Sequence, residues 1–305
     1  MTLLRVEALT KKYGSKTSVD QLSFSLEPNT ATALIGPNGA GKTTTMSMIT
    51  GLLTPTSGSV QLNGSGDIRK HIGFLPQYPT FYSWLTAIEY VEMAAGLSGI
   101  PAREARKRSE KILEYVGLGK DMKRQTSTFS GGMKQRLGIA QAIIHEPKLL
   151  LLDEPVSALD PLGRAEIMEL LKELQQQTTI LYSTHILHDA EKMTDQVLFM
   201  KEGKLVEQGT LLEVQQRYAD PQYMIVFASE QEAESFVELH GAQGKRDGSR
   251  VTMPITEELP TLNTLMSLLS KTSFDILKVE RESASLDQIF KKVAGAHEFA
   301  ADIAR

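Results

Sequence analysis

Gly36-Pro37-Asn38-Gly39-Ala40-Gly41-Lys42-Thr43-Thr44 is the stretch on which the fold turns. An apolar run, Thr32-Ala33-Leu34-Ile35, precedes it, and Thr45-Met46-Ser47-Met48-Ile49 follows. Strand, glycine-rich loop and helix start is the order a phosphate-binding loop requires. Glycines let backbone N–H groups turn inward around phosphate oxygens with no Cβ in the way. The helix that follows points its positive end at the same anion. Lys42 has the reach for β- and γ-phosphates, and the Thr43 hydroxyl suits Mg²⁺.

Downstream, Leu149-Leu150-Leu151-Leu152 reads as a buried parallel strand with Asp153-Glu154 at its C-terminal end. Ligand sites of open α/β sheets lie at such ends. Two adjacent carboxylates beside a phosphate pocket repel it unless a cation intervenes. Asp153 therefore suits Mg²⁺, and Glu154 suits orienting or deprotonating a water. Ser130-Gly131-Gly132 opens a helix read as Leu137 to Ile144, with Ser130 as its cap. Its amides form a second anion-binding device. His185 ends the next buried strand, Thr178 to Ser183, and Gln77 ends an earlier one. Residues 3–9 read as a first strand, and Tyr13, which follows, has the flat face to stack on a base.

The chain has 305 residues, 41% hydrophobic and 23% charged, as expected of one large or two ordinary globular domains. A net charge of −4 argues against a nucleic-acid partner. Without cysteine, disulfides and thiolate chemistry are excluded. No apolar run reaches membrane-spanning length, and the first residues lack the apolar core of a signal peptide. A cytoplasmic protein is expected, with any membrane association through a partner. The Arg103–Lys111 charge run predicts a solvated helix face.

A boundary is expected near Tyr218-Ala219-Asp220-Pro221. Beyond it the pattern runs strand, helix, strand, strand, helix, strand, then a last helix from Leu286. The Asp247-Gly248 turn joins the middle pair. That order predicts a small ferredoxin-like α+β domain over 219–294, without a catalytic constellation, followed by a tail at 295–305.

Together, residues 3 to about 215 resemble the ATP-binding subunit of an ABC transporter. Gly36, Pro37, Asn38, Gly39, Ala40, Gly41, Lys42, Thr43 and Thr44 resemble its Walker A loop. Leu149 to Glu154 resemble Walker B, Ser130-Gly131-Gly132 the signature motif, Ser157 to Asp160 the D-loop, Gln77 the Q-loop and His185 the switch histidine. Phe129 and Met133 depart from the usual leucine and glutamine of the signature. Its Ser-Gly-Gly-Met-Lys-Gln-Arg form, with Ser285-Leu286-Asp287-Gln288-Ile289-Phe290, is similar to the ABC-2 export type.

The resemblance implies a P-loop α/β core over 1–218: a RecA-like sheet, an antiparallel β subdomain and a helical subdomain at about 81–145. It implies ATP and Mg²⁺ as ligands, with Tyr13 on the adenine and Thr43, Gln77 and Asp153 around the metal. Catalysis would fall to Glu154, His185, Gln77 and Lys42. Two chains, identical or related, would sandwich ATP between one P-loop and the other's Ser130 turn and Asp160. They would drive a multi-span permease from the inner face of the membrane. The alternative is an ABC ATPase not coupled to transport. Repair-type chains insert a coiled coil where residues 44 to 129 show no heptad run. Translation-type chains carry two cassettes, and this chain has one.

Overall fold

The computed structural model describes residues 2–63, 66–157, 159–218, 222–240, 244–256, 261–281 and 284–294. Ala158, the boundary residues 219–221 and the tail 295–305 lie outside them. The chain divides into two compact units, one running to Leu211 and one over Leu212–Lys292.

In the first unit, β1 (Leu4–Tyr13) and β2 (Lys16–Leu26) form a hairpin. β3 (Ala31–Ile35) is buried along its length and feeds the glycine loop into α1 (Lys42–Ile49). β4 (Ser57–Leu62) returns beside β1, which gives an antiparallel sheet in the order β2-β1-β4. After β5 (Ile72–Leu75) come α2 (Ala87–Leu97), α3 (Ala102–Tyr115) and α4 (Gly131–Ile143). A capping box fixes the start of α2, where Thr86 and Glu89 satisfy each other's backbone donors. The charge run on α3 is a solvated face, with Arg106 reaching Glu92 and Glu110. The remaining elements are β6 (Leu149–Leu152), α5 (Pro161–Leu174), β7 (Thr179–Thr184), α6 (Leu187–Met193), β8 (Gln196–Lys201) and β9 (Lys204–Thr210); α7 (Leu211–Tyr218) comes next, and all but its first residue belong to the second unit.

A six-stranded sheet in the order β5-β6-β7-β3-β8-β9 is the centre of this unit. Its first five strands are parallel, and β9 returns antiparallel to β8. All four leucines of β6 are buried. Burying each stabilises the sheet by about 1.5–3 kcal/mol. The chain leaves β3 toward β5 on one side and later reaches β8 on the other, so the connection reverses at β3. Such a reversal opens a crevice at the carboxyl ends of the strands.

The structure extends two elements beyond the sequence reading. The helix expected from Leu137 begins at Gly131, because Ser130 accepts the Met133 N–H and caps it one and a half turns earlier. α7 was not anticipated.

In the second unit, β10 (Gln222–Phe227), α8 (Glu230–His240), β11 (Lys245–Asp247), β12 (Arg250–Pro254), α9 (Leu262–Leu269), β13 (Ile276–Arg281) and α10 (Leu286–Ala294) follow in turn. The sheet is antiparallel, ordered β11-β12-β10-β13, the ferredoxin-like arrangement. Phe227 stacks on Phe236 with ring centroids 5.1 Å apart and meets Phe274 edge-on at 5.9 Å. Among the described residues, no helix is long and apolar enough to cross a membrane.

Candidate functional site

Parallel register brings separated residues to one edge of the sheet. Ile35 lies opposite Thr184, Leu152 opposite Tyr182 and Leu75 opposite Leu152. The residues that follow these strand ends, Gly36, His185, Asp153-Glu154 and Gln77, therefore emerge together.

The loop takes its shape from Gly41, which precedes α1 at φ +101°. A Cβ there would lie 2.6 Å from the Ser18 carbonyl oxygen, so any other residue is both strained and obstructed. No side chain caps the helix at this position, which leaves its first amides turned to the loop. Lys42 is buried and folds back along the loop. Its Nζ donates to the Gly36 oxygen at 2.6 Å and the Pro37 oxygen at 3.2 Å. These carbonyls hold the ammonium beside the place an anion would take.

Asp153 and Glu154 are both buried but differently engaged. Thr43 Oγ1 donates to Asp153 Oδ2 at 2.7 Å, and Ser183 Oγ donates to Asp153 Oδ1 at 2.6 Å. The same Ser183 oxygen accepts the Glu154 N–H at 2.8 Å. Glu154 sits at φ +50°, a left-handed conformation that costs a side-chain-bearing residue about 1–3 kcal/mol. Its Oε1 lies 3.7 Å from Lys42 Nζ and its Oε2 lies 2.8 Å from His185 Nδ1. A buried carboxylate needs such partners. This one is held between a cation and an imidazole, directly beside the phosphate loop.

A cavity of about 350 Å³ opens here, lined by the 38–44 loop, Gln77 and Glu154, with Lys16 and Ser18 contributed by β2. Nine residues named from sequence stand outside its lining: Gly36, Pro37, Asp153 and His185, which adjoin residues that line it, and Tyr13, Ser130, Gly131, Gly132 and Asp160. Tyr13, at the end of β1, is 51% exposed, with the Lys11 ammonium 5.2 Å over its ring. Ser130, Gly131 and Asp160 are also exposed. Ser130 and Asp160 cap α4 and α5, and Asp160 Oδ1 accepts the Gly163 N–H at 3.2 Å. A Cβ on Gly132 would rest 3.7 Å from Leu159, so the two exposed turns are neighbours.

Sequence reading missed Ser183, Lys16 and Ser18. The available signal for Ser183 was a small hydroxyl in a buried strand, two residues before His185. Lys16 and Ser18 carried none.

The ABC transporter family model matches residues 19–157. The uncharacterized ABC transporter ATP-binding protein YxlF of Bacillus subtilis is 41% identical over 96% of this chain and 100% of its own length. The bacitracin transport ATP-binding protein BcrA of Bacillus licheniformis is 35% identical over 96% of this chain and 98% of its own. The daunorubicin resistance ATP-binding protein DrrA3 of Streptomyces coeruleorubidus is 29% identical over 96% of each. Among solved structures, the ATP-binding subunit of an ABC transporter superposes with a TM-score of 0.65 at 33% identity, over 71% of this chain and 93% of that one. The dimeric post-hydrolysis cassette MJ0796 bound to ADP and Pi gives 0.62 at 27% identity, over 68% and 99%. With its phosphate loop, its acidic strand end and full-length kinship to these proteins, the chain belongs to the ATP-binding subunits of ABC transporters and is an ATPase.

Proposed function

We propose that two such chains close around ATP, hydrolyse it and drive a separate multi-span permease that exports its cargo. The placement of Glu154 carries this reading: a buried carboxylate beside the phosphate loop, paired with Lys42 and His185. The loop amides and Lys42 hold the triphosphate. Glu154 orients the attacking water and accepts its proton, and His185 holds the carboxylate in position. Gln77, at the cavity wall, senses the γ-phosphate and passes its state toward the permease. The hard oxygen donors of Thr43 and Asp153, already 2.7 Å apart, fit Mg²⁺, with the Gln77 amide oxygen as a third donor. When bound, that ion supplies charge neutralisation on the phosphate oxygens.

Of the named residues that lie outside the cavity lining, three are best used across a dimer. Ser130, Gly131 and Asp160 sit on exposed turns, where they can meet ATP held by the opposite chain. Two amide-rich helix ends offset a triphosphate better than one. Solved cassettes of this family include a dimer bound to ADP and Pi, which supports the arrangement. Relatives named for bacitracin transport and daunorubicin resistance support outward transport. The chain would then lie on the cytoplasmic face of the membrane, held there by the permease.

The test is recovery of the complex. Tagged full-length chain, extracted from its native membranes in mild detergent, is expected to carry a multi-span membrane protein that stimulates its ATPase activity. Recovery with ribosomes or DNA and no membrane protein would overturn the transport reading.

Tyr13 is proposed to stack on the adenine of its own chain's nucleotide. Its ring is half exposed, with the Lys11 ammonium over one face. Tyr13→Ala should weaken ATP binding by about 1–3 kcal/mol, the range for aromatic–base stacking. Since stacking tolerates any base, GTP should bind with a similar constant. An unchanged dissociation constant in a fluorescence titration would make Tyr13 an ordinary strand-end tyrosine.

A further inference from the structure

Arg136 lies on α4, six residues after the cap Ser130. Its Nη2 donates to Glu166 Oε2 on α5 at 2.6 Å. Its Nη1 donates to the Val116 carbonyl at the end of α3 at 2.9 Å. One planar guanidinium therefore joins three helices. The rigid fork of arginine suits this, and a lysine point charge does not. The arginine side chain is only 20% exposed. The chain also makes room for it. Gly117 turns at φ +77°, and a Cβ there would come within 3.1 Å of Nη1.

Two of the helices joined, α4 and α5, have their N-termini in the proposed dimer face. Ser130 caps α4, and Asp160, six residues before Glu166, caps α5. The two turns approach at Gly132, where an added Cβ would lie 3.7 Å from Leu159. Glycine has no side chain to interlock there. The Arg136–Glu166 pair is a fixed point, nearly two turns along each helix. A tie at that distance from the turns resists pivoting of α4 on α5.

We propose that Arg136 and Glu166 are positioning residues: their ion pair locks the Ser130 turn to the Asp160 turn, so that both reach the opposite chain's ATP in register. This rests on the dimer reading above. Neither residue lines the cavity that holds its own chain's nucleotide. Their loss should therefore lower kcat and leave KM for ATP nearly unchanged.

The test compares wild type, E166Q, E166R, R136E and the swap R136E/E166R as full-length chains. E166Q should lower kcat about threefold, since Glu166 is 52% exposed and glutamine keeps an oxygen for the guanidinium, with KM within about 1.5-fold. E166R should be worse, because it sets two guanidinium groups together. R136E also loses the Val116 bond, which the swap does not restore. The swap should nonetheless exceed E166R alone in kcat by at least about threefold, since contacting residues are coupled. E166Q with wild-type kcat, a KM rising in step with the fall in kcat, or a swap no better than E166R would each overturn the proposal. If E166R does not fold, the kcat and KM of E166Q decide. Ser130→Arg, measured alongside, separates the two readings. Normal hydrolysis by Ser130→Arg removes the dimer mechanism itself. An inactive Ser130→Arg beside a normal E166Q removes only this ion pair.

Discussion

Glu154→Gln is expected to bind ATP and lose nearly all turnover. The amide matches the carboxylate in size, so it fits the same buried place. It also keeps a group within reach of His185 Nδ1. The left-handed backbone at residue 154 strains glutamine as it strains glutamate, so the fold carries no new cost. The proton acceptor is lost. A positioned general base contributes about 10²–10⁴-fold, and the fall in kcat should be of that size. The variant also lacks the charge that pairs with Lys42 at 3.7 Å. That frees the ammonium for phosphate, so ATP affinity should hold or rise. With hydrolysis blocked, the closed ATP-bound dimer should accumulate and elute as a dimer on size exclusion with ATP, and as a monomer without it. Turnover within a few-fold of wild type would remove Glu154 from the chemistry.

Some of this site was legible because its signals are local. The loop from Gly36 to Thr44 announces itself through the apolar run before it and the helix after it. Leu149 to Glu154 announces a covered parallel strand whose end turns acidic. In the second unit, alternation and the Asp247-Gly248 turn were sufficient for the β-α-β-β-α-β order. What stayed hidden depends on register between distant segments. Ser183 holds both the Asp153 carboxylate and the Glu154 amide, a contact made only because β6 and β7 align Leu152 with Tyr182. Nothing near residue 183 in the sequence encodes that alignment. Lys16 and Ser18 reach the cavity because the hairpin lies beside the phosphate loop. The Glu154 backbone also has no local signature, since glutamate is not a residue that favours positive φ. Ser130 was legible as the cap of α4, while the two glycines of its first turn put the expected helix body later, at Leu137.

The sandwich itself is tested by complementation, and here the expected effects are all-or-none. Lys42→Ala removes the buried cation that the Gly36 and Pro37 carbonyls hold beside the loop, so that chain should not bind ATP at its own site. Ser130→Arg replaces the cap of α4 with a bulky cation on an exposed turn. It should spoil only the site it donates to the opposite chain. Each variant alone therefore builds dimers in which both sites carry a defect, and each should be inactive. In a mixed dimer both defects fall on one composite site. The other combines an intact Lys42 from one chain with an intact Ser130 from its partner. With equal, random pairing of a symmetric dimer, about half the dimers are mixed, and each has one sound site of two. Mixing should restore about a quarter of wild-type ATPase activity if the sites act independently. Because the inactive parents set the baseline near zero, even a few per cent of rescued activity is readable. Rescue requires that Lys42 and Ser130 of different chains serve one nucleotide, which no monomeric mechanism provides. Normal hydrolysis by Ser130→Arg alone would mean that the exposed turn completes no site, and the closure of two chains on ATP would have to be abandoned.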